Sequence, residues 1–477
     1  MSTAARATDP RLTLDPDLAR RLGHRVVDAL VERLVELPGL PVGERAGRDE
    51  MEARLREPLP EEGCDPERVL ETVLHDVLVP GLRVDHPRFF AFVPSPGNPV
   101  AVLADALAAG FSVFAGAWLG SPGAAMVETV VLDWLRDVCG LPGGAQGLFV
   151  SGGSTANLTA LAVALDERAG SERPRAAVYV SDETHSSVER ALRVTGVRHV
   201  RVLPSDRHQQ LVPGDVAAAV PADRAAGRLP ACVVATAGTT GTGAVDPLEE
   251  LREVCDEHGM WLHVDGAYGA AAMLSPHGRA RLRGIELADS LTLDPHKWLF
   301  QPLEAGCLLV RDGAALERTF STTAAYLRDA AGAASEVNFS DRGIQLTRQF
   351  RALKLWMSLK VYGAAAFRAA VEHGLALAEH AERRLASDPA WEVVTPARLG
   401  IVTFRARRAG ASPAELDALN AGLPAAALAD GFAYLSSHRV QGATALRLCT
   451  INPRTTREDV DSTIDRLAAL AQGAAHA

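Results

Sequence analysis

Lysine is close to absent from this chain of 477 residues: of its 49 basic side chains only Lys297, Lys354 and Lys360 are lysines. Where most lysine positions have gone to arginine, a lysine that remains is a candidate for chemistry a guanidinium cannot perform. Arginine stays protonated and forms no imine, whereas a lysine amine condenses with an aldehyde. Cysteine is sparse as well. The six (Cys64, Cys139, Cys232, Cys255, Cys307 and Cys449) contain no C-x-x-C pair, which speaks against a zinc site or a disulfide framework and fits buried free thiols in a reducing compartment. No basic block offsets the net charge of −10, so nucleic acid and anionic membrane are poor partners. No apolar run approaches the roughly 20 residues that span a bilayer. The first residues, MSTAARATDPRLTLDPDLARR, lack the apolar core of a signal peptide, and the expected location is cytoplasmic. Internal repeats, G-x-G-x-x-G and G-x-x-x-x-G-K-[ST] are all missing.

What is present is the balance of a globular protein, 47% hydrophobic and 23% charged. The length implies a large domain with smaller flanking pieces. From Leu18 to Leu37 a stripe at helical period carries Leu22, Val26, Val27, Leu30, Val31, Leu34 and Val35 behind an Asp15-Pro16-Asp17 start. That helix has the main domain or a second subunit to pack on. Between about residues 100 and 310, helical stretches alternate with short apolar runs. The helices are Val127–Cys139, Thr155–Arg168, Ser187–Thr195 and Leu248–His258. The runs are Ala176–Val180, Arg198–Leu203, Ala231–Ala235, Met260–Val264 and Ser290–Leu293, with Gly306–Val310 close enough to enter antiparallel. This alternation predicts a mainly parallel sheet covered on both faces, with ligands bound outside the carboxyl ends of its strands. After Lys360 the chain turns alanine-rich and helical, with strands near Gly400–Phe404 and Ala445–Thr450, a smaller α/β domain.

The polar residues of interest stand at predicted strand ends. Lys297 follows Leu291–Asp294 in Leu-Thr-Leu-Asp-Pro-His-Lys-Trp, where Pro295 stops the strand and Trp298, Leu299 and Phe300 supply apolar neighbours. Such burial is expected to lower the lysine pKa and make its amine nucleophilic toward an aldehyde. Asp265 ends the apolar run Trp-Leu-His-Val-Asp-Gly, a place for a buried carboxylate that keeps a pyridine nitrogen protonated, or for a simple turn cap. In Phe149-Val-Ser-Gly-Gly-Ser-Thr, small residues lead into a helix whose N–H groups and dipole suit a phosphate. Pyridoxal 5′-phosphate (PLP), an electron sink only while its pyridine nitrogen stays protonated, is the ligand against which Asp265 is read. His185, in Glu-Thr-His-Ser-Ser, is placed to stack on a ring or move a proton, though a lone histidine is more often structural. Asp246, Pro247 and Glu249 read as an ordinary helix start.

Together these residues resemble the group II PLP-dependent amino-acid decarboxylases, the family of aromatic-L-amino-acid, tyrosine, histidine and glutamate decarboxylases. The matching stretches run in family order: DHPRFFAF, ETVVLDWL, SGGSTANLTAL, ETHSSVERA, ATAGTTGTGAVDPLEEL, LHVDGAYGAA, LADSLTLDPHKWL and RQFRALKLWMSLKVYG. The resemblance implies the PLP-dependent transferase fold type I: an N-terminal helical segment (1–90), a large PLP domain with a seven-stranded sheet (91–363) and a small C-terminal α/β domain (364–477). It also implies a homodimer with active sites at the subunit interface. By motif, Lys297 is similar to the Schiff-base lysine, Asp265 to the partner of the pyridine nitrogen and His185 to the histidine stacked on the ring. Gly153 and Ser154 resemble phosphate ligands, His296 the histidine beside the lysine, and Thr236 and Asp246 positions near the cofactor. Asp294 departs from members that carry asparagine near the phosphate.

The implied activity is decarboxylation of an L-amino acid, an aromatic one favoured. Phe89, Phe90, Phe92, Phe114 and Trp118 fall in regions that resemble the substrate entry of aromatic decarboxylases, and they equally suit an ordinary core. In such enzymes a loop tyrosine protonates Cα. Counting back from Arg348-Gln-Phe-Arg puts Phe339 at that place, with Tyr326 a short way upstream. Phenylalanine has no proton to give, which opens the oxidative route of the plant aromatic aldehyde synthases as an alternative. Transaminases and other lyases share the lysine and aspartate, but the His-Ser-Ser and Pro-His-Lys-Trp contexts favour decarboxylation. Intact Lys297, Asp265 and His185 argue against a silent scaffold.

Overall fold

The structure, a computed structural model, describes residues 12–322 and 336–473. Its first part is an arm of three helices, α1 (Pro16–Glu36), α2 (Arg48–Leu55) and α3 (Pro66–Thr72), with a two-residue pairing of β1 (Gly43–Glu44) and β2 (Gly81–Leu82). Asp15 caps α1 by accepting from the N–H groups of Asp17 and Leu18, and Pro16 takes the first turn, as the sequence predicts. No residue of α1 is buried; Val26, Val27, Leu30, Val31 and Val35 all stand exposed. The apolar stripe therefore does not pack on the main domain.

Two helices, α4 (Pro99–Gly110) and α5 (Pro122–Cys139), lead into the large sheet. Its strands are β3 (Gln146–Val150), β4 (Ala176–Ser181), β5 (His199–Leu203), β6 (Leu229–Thr236), β7 (Trp261–Asp265), β8 (Ser290–Leu293) and β9 (Gly306–Val310). They lie side by side in the order β3-β9-β8-β7-β6-β4-β5. Every pairing is parallel except those of β9, which runs antiparallel to both β3 and β8. The helices α6 (Gly153–Ala169), α7 (Ser186–Val194), α8 (Pro213–Ala225), α9 (Leu248–His258), α10 (Pro276–Arg281) and α11 (Ala314–Phe320) connect and flank these strands. Strands covered on both faces are buried along their whole length rather than at alternate positions. Accordingly β4, β7, β8 and β9 are buried at every position.

Helix α12 (Ala352–Ala386) joins the large sheet to a second one and is broken at Gly363, whose φ of 78° and ψ of 153° leave the helical region. Only glycine takes that conformation without strain. The second sheet is antiparallel throughout, β10 (Trp391–Arg398), β11 (Ile401–Ala406), β13 (Ala443–Cys449) and β12 (Ser436–Val440) in spatial order. Helices α13 (Pro413–Asp430) and α14 (Arg457–Gly473) complete its core. Phe90 is buried in that smaller core, and Phe89 bridges to Tyr434. Five of the six cysteines are buried and unpaired; Cys64 departs from the sequence expectation by lying exposed on the arm.

Candidate active site

A cavity of about 380 Å³ opens where β3, β4, β6, β7 and β8 end. Five strands sharing one direction deliver their following residues to one edge, which is why positions far apart in sequence meet there. Lys297, Asp265, His185, Gly153, Ser154, Thr236 and His296 all line it.

Lys297 follows β8 in a tight turn, its N–H donating to Asp294 O at 3.0 Å. The neighbouring Trp298, Leu299 and Phe300 are buried, and Trp298 stacks on Tyr268 with 5.2 Å between ring centroids. The amine, however, is not left in apolar surroundings: Nζ lies 2.8 Å from a carboxylate oxygen of Asp294. Burial pulls the ammonium down, but the charge and contact of Asp294, with Asp265 further off, carry the net shift above the ordinary lysine value. This corrects the expectation that burial alone makes Lys297 a free amine. Apart from Lys297, the Asp294 oxygens have no hydrogen-bond partner among the described residues. The other two lysines are placed elsewhere: Lys354 pairs with Asp105 at 2.7 Å and Lys360 is exposed.

Asp265 ends β7 beside Thr236 of β6. One carboxylate oxygen accepts from Ala267 N–H at 3.1 Å and the other from Asn157 Nδ2 at 2.8 Å. Across the cavity, Gly152 and Gly153 open the 17-residue helix α6. A Cβ on Gly153 would stand 2.8 Å from an oxygen of Asp294, so the approach of these two elements requires glycine. His185 caps α7 through its ring, and burial holds its pKa below the ordinary histidine value. His296 is likewise held down by burial, with Nδ1 2.7 Å from Ala305 O. The hydroxyl of Thr236 is buried without a partner among the described residues. A lysine, a carboxylate and a helix N-terminus lining one cavity are what an aldehyde, a pyridine nitrogen and a phosphate require. The residues present fit PLP.

Asp246 is not the helix cap its sequence suggests. The residue before α9 is Pro247, and the Asp246 carboxylate instead accepts from Thr236 N–H (2.7 Å) and Leu211 N–H (2.8 Å). Full burial pushes it up to about 6 against those two bonds.

The aromatic residues expected at the substrate entry are not brought to the cavity within one chain. Phe92 is exposed and packs edge-on against Tyr434, while Phe114 and Trp118 are half-buried. Phe339 is a clear correction. Its ring is 1% exposed, between the guanidinium groups of Arg342 (5.4 Å) and Arg348 (5.1 Å), so it belongs to the core and not to a loop facing the site. Tyr326 lies outside the described residues.

Sequence reasoning missed four side chains that serve the site: Asn157, Ser187 and the two members of the buried ion pair Glu128–Arg348. Asn157 had a signal, an amide inside the otherwise small and apolar Ala-Asn-Leu-Thr-Ala-Leu stretch of α6. Arg348 and Glu128 meet at 2.5 Å and both bond the backbone of Phe149, which fixes the strand leading into the glycine turn.

Residues 49–407 match the pyridoxal-dependent decarboxylase conserved domain. Among curated proteins the chain is 45% identical to an aromatic-L-amino-acid decarboxylase of Bacillus atrophaeus, over 97% of each chain. It is 32% identical to a phenylacetaldehyde synthase of Petunia hybrida, over 94% of this chain and 93% of that one. Among solved structures it superposes on Oryza sativa TDC with PLP and tryptamine with a TM-score of 0.92, at 29% identity over 98% of this chain and 99% of that one.

Proposed function

The chain belongs to the pyridoxal-dependent decarboxylase family, and from that premise we propose that it removes CO₂ from an aromatic L-amino acid and releases the amine. The observation that carries this reading is that Lys297 and Asp265, at the ends of adjacent strands, face one cavity with the N-terminus of α6. PLP bound there supplies the electron sink for the pair left on Cα when CO₂ departs. In this reading Lys297 holds the aldehyde carbon, Gly153 and Ser154 the phosphate, and Asp265 keeps a proton on the ring nitrogen. His185, His296 and Thr236 complete the cofactor's surroundings. The 45% identity to the bacterial aromatic-L-amino-acid decarboxylase supports an aromatic substrate.

The substrate side is open in a single chain. Alongside Phe92, the large apolar side chains of Leu103, Leu107 and Phe111 are exposed, as is the face of α1. Large apolar side chains left exposed in numbers accord with an interface, which supports a homodimer whose partner completes the site and brings Phe92, Phe114 and Trp118 to use. The kink at Gly363 supports the boundary between 91–363 and 364–477, with 1–90 kept as the N-terminal segment. Among the described residues no helix is long and apolar enough to cross a membrane, and a cytoplasmic location accords with that.

Similarity to a phenylacetaldehyde synthase supports one second reading, oxidative release of an aldehyde, although buried Phe339 no longer argues for it. Incubation with a panel of L-amino acids, scoring CO₂, amine, aldehyde and peroxide separately, decides between the two. CO₂ and amine in equal amounts from an aromatic substrate are expected. Peroxide with aldehyde establishes the oxidative route, and no CO₂ from any substrate overturns both.

A further inference from the structure

From the cavity wall inward runs a chain of buried polar groups that links Asp265 and His185 to residues the proposed reaction does not itself employ. Trp261 Nε1 lies 2.8 Å from Ser290 Oγ, and Ser290 Oγ lies 2.8 Å from His263 Nδ1. His263 Nε2 is 3.0 Å from Asn157 Oδ1, which also accepts from the Thr292 hydroxyl at 2.8 Å. From its other end Asn157 Nδ2 reaches Asp265 (2.8 Å) and Ser187 Oγ (3.0 Å), and Ser187 Oγ lies 2.8 Å from His185 Nδ1. Ser290, His263, Thr292 and Asn157 are at most 1% exposed.

The chemistry of the two ends dictates every direction in between. An indole N–H only donates and an ionised carboxylate only accepts. Trp261 therefore donates to Ser290, while Asp265 turns the Asn157 amide so that its oxygen faces His263, and a neutral His263 then accepts the Ser290 hydroxyl proton at Nδ1. His263 must then carry its single proton on Nε2 and donate it to Asn157 Oδ1. With two donors on that oxygen, the amide NH₂ can face only Asp265 and Ser187. Ser187, accepting from Asn157, spends its hydroxyl proton on His185 Nδ1, to which its backbone N–H also points at 3.2 Å. The proton of His185 is left on Nε2. Burial pushes His263 down to about 4 and lowers His185, so both rings are neutral at physiological pH.

We propose that Asn157 and His263 are positioning residues that act through Asp265 and His185. They hold the Asp265 carboxylate in the one orientation that meets the cofactor's ring nitrogen, and they fix which nitrogen of His185 bears the proton. The proposal rests on reading Asp265 as the partner of that nitrogen. A fully satisfied buried network is rigid, because each bond lost strands its neighbour without a partner. Set beside Asp265, it removes the carboxylate's freedom to rotate without adding a charge.

Two measurements on the full chain test this. Nuclear magnetic resonance of ¹⁵N-histidine-labelled protein without cofactor is expected to find His263 and His185 as Nε2–H tautomers at pH 7. An Nδ1–H tautomer or a cation at His263 overturns the proposal. The second compares affinity for PLP with affinity for its 1-deaza analogue, which keeps aldehyde and phosphate but has no ring nitrogen. Asn157→Leu is expected to weaken PLP about tenfold, the effect of one hydrogen bond, and to change the deaza analogue less than about twofold. His263→Phe, which keeps a flat ring and leaves the Thr292 bond in place, is expected to act in the same sense and more weakly. It serves where Asn157→Leu fails to fold. Equal losses for both cofactors mean a merely structural role and overturn the proposal. Asp265→Asn run in parallel separates the readings. If it too fails to discriminate the cofactors, the pyridine assignment falls. If it alone discriminates, only the role of Asn157 and His263 falls.

Discussion

Asp294 and Lys297 form an ion pair at 2.8 Å inside the cavity, with Asp294 at 1% exposure of its side chain. A carboxylate that holds the amine as ammonium also keeps it from reacting. It stands besides within 2.8 Å of where a Cβ of Gly153 would lie, close to the proposed phosphate cradle. For Asp294→Asn the pH at which Lys297 begins to react with PLP is expected to move down, because the charge that raises it is gone. Affinity for PLP is expected to hold or tighten, since a negative charge leaves the neighbourhood of a dianion. Absorbance titrations across pH measure both, and a clear loss of affinity sinks the idea.

Borohydride reduction of the PLP-loaded protein is expected to fix the cofactor on Lys297, the one lysine lining the cavity. Lys297→Arg should abolish labelling and turnover, since a guanidinium forms no imine. Peptide mapping that finds the label on Lys354 or Lys360 refutes the assignment.

Phe339→Tyr places a hydroxyl where the ring is enclosed by Arg342, Arg348 and core side chains. Denaturant unfolding should register a loss of about 1–3 kcal/mol if that hydroxyl finds no partner. The ratio of amine to aldehyde should stay as in the wild type. A rise in that ratio would return Phe339 to the mechanism.

The pair Glu128–Arg348 is buried at both ends, and Glu128 also accepts from Phe149 N–H at 2.8 Å. Breaking such a pair strands a charge and costs about 3–5 kcal/mol. Glu128→Ala is therefore expected to lower the unfolding midpoint sharply and, where it folds, to weaken PLP through the displaced glycine turn. Unchanged stability would mean that Arg348 finds another acceptor.

His86 is fully buried, with Nε2 3.1 Å from Leu40 O and Nδ1 accepting from Arg88 N–H, and burial pushes it down to about 4. The unfolded chain takes up this proton near 6.5 while the folded chain refuses it until about 4. Stability from this group is therefore full above 6.5 and declines as pH falls toward 4. His86→Gln should flatten the stability profile in that window by up to one proton's worth of slope. An unaltered slope would show that His86 is already protonated or already free to titrate.

The sequence by itself determined the alternation of helices and strands in the large sheet, the antiparallel entry of β9 and the seven polar and glycine positions, Lys297 and Asp265 among them, that line the cavity. It could do so because those features are local. Apolar runs bounded by glycine and proline fix strands, and in a parallel sheet each strand's carboxyl end faces the same edge. Lysine scarcity narrowed the imine-forming candidates to three, and the strand-end setting of Lys297 separated it from Lys354 and Lys360. What only the tertiary structure decided depends on partners distant in sequence. Lys297 is raised rather than lowered because Asp294 turns toward it, whereas its apolar neighbours in sequence point into the core. Asp246 looks like a helix cap locally, yet strand β6 offers it Thr236 N–H. Phe339 aligned plausibly with a loop position, but Arg348, itself anchored by Glu128 from α5, draws it into the core. Asn157 acquires its role from four elements, α6, α7, β7 and β8, packed closely enough that hydrogen-bond direction propagates from Trp261 to His185. Charge and hydrogen bonding act across space, and residue spacing along a chain does not encode them.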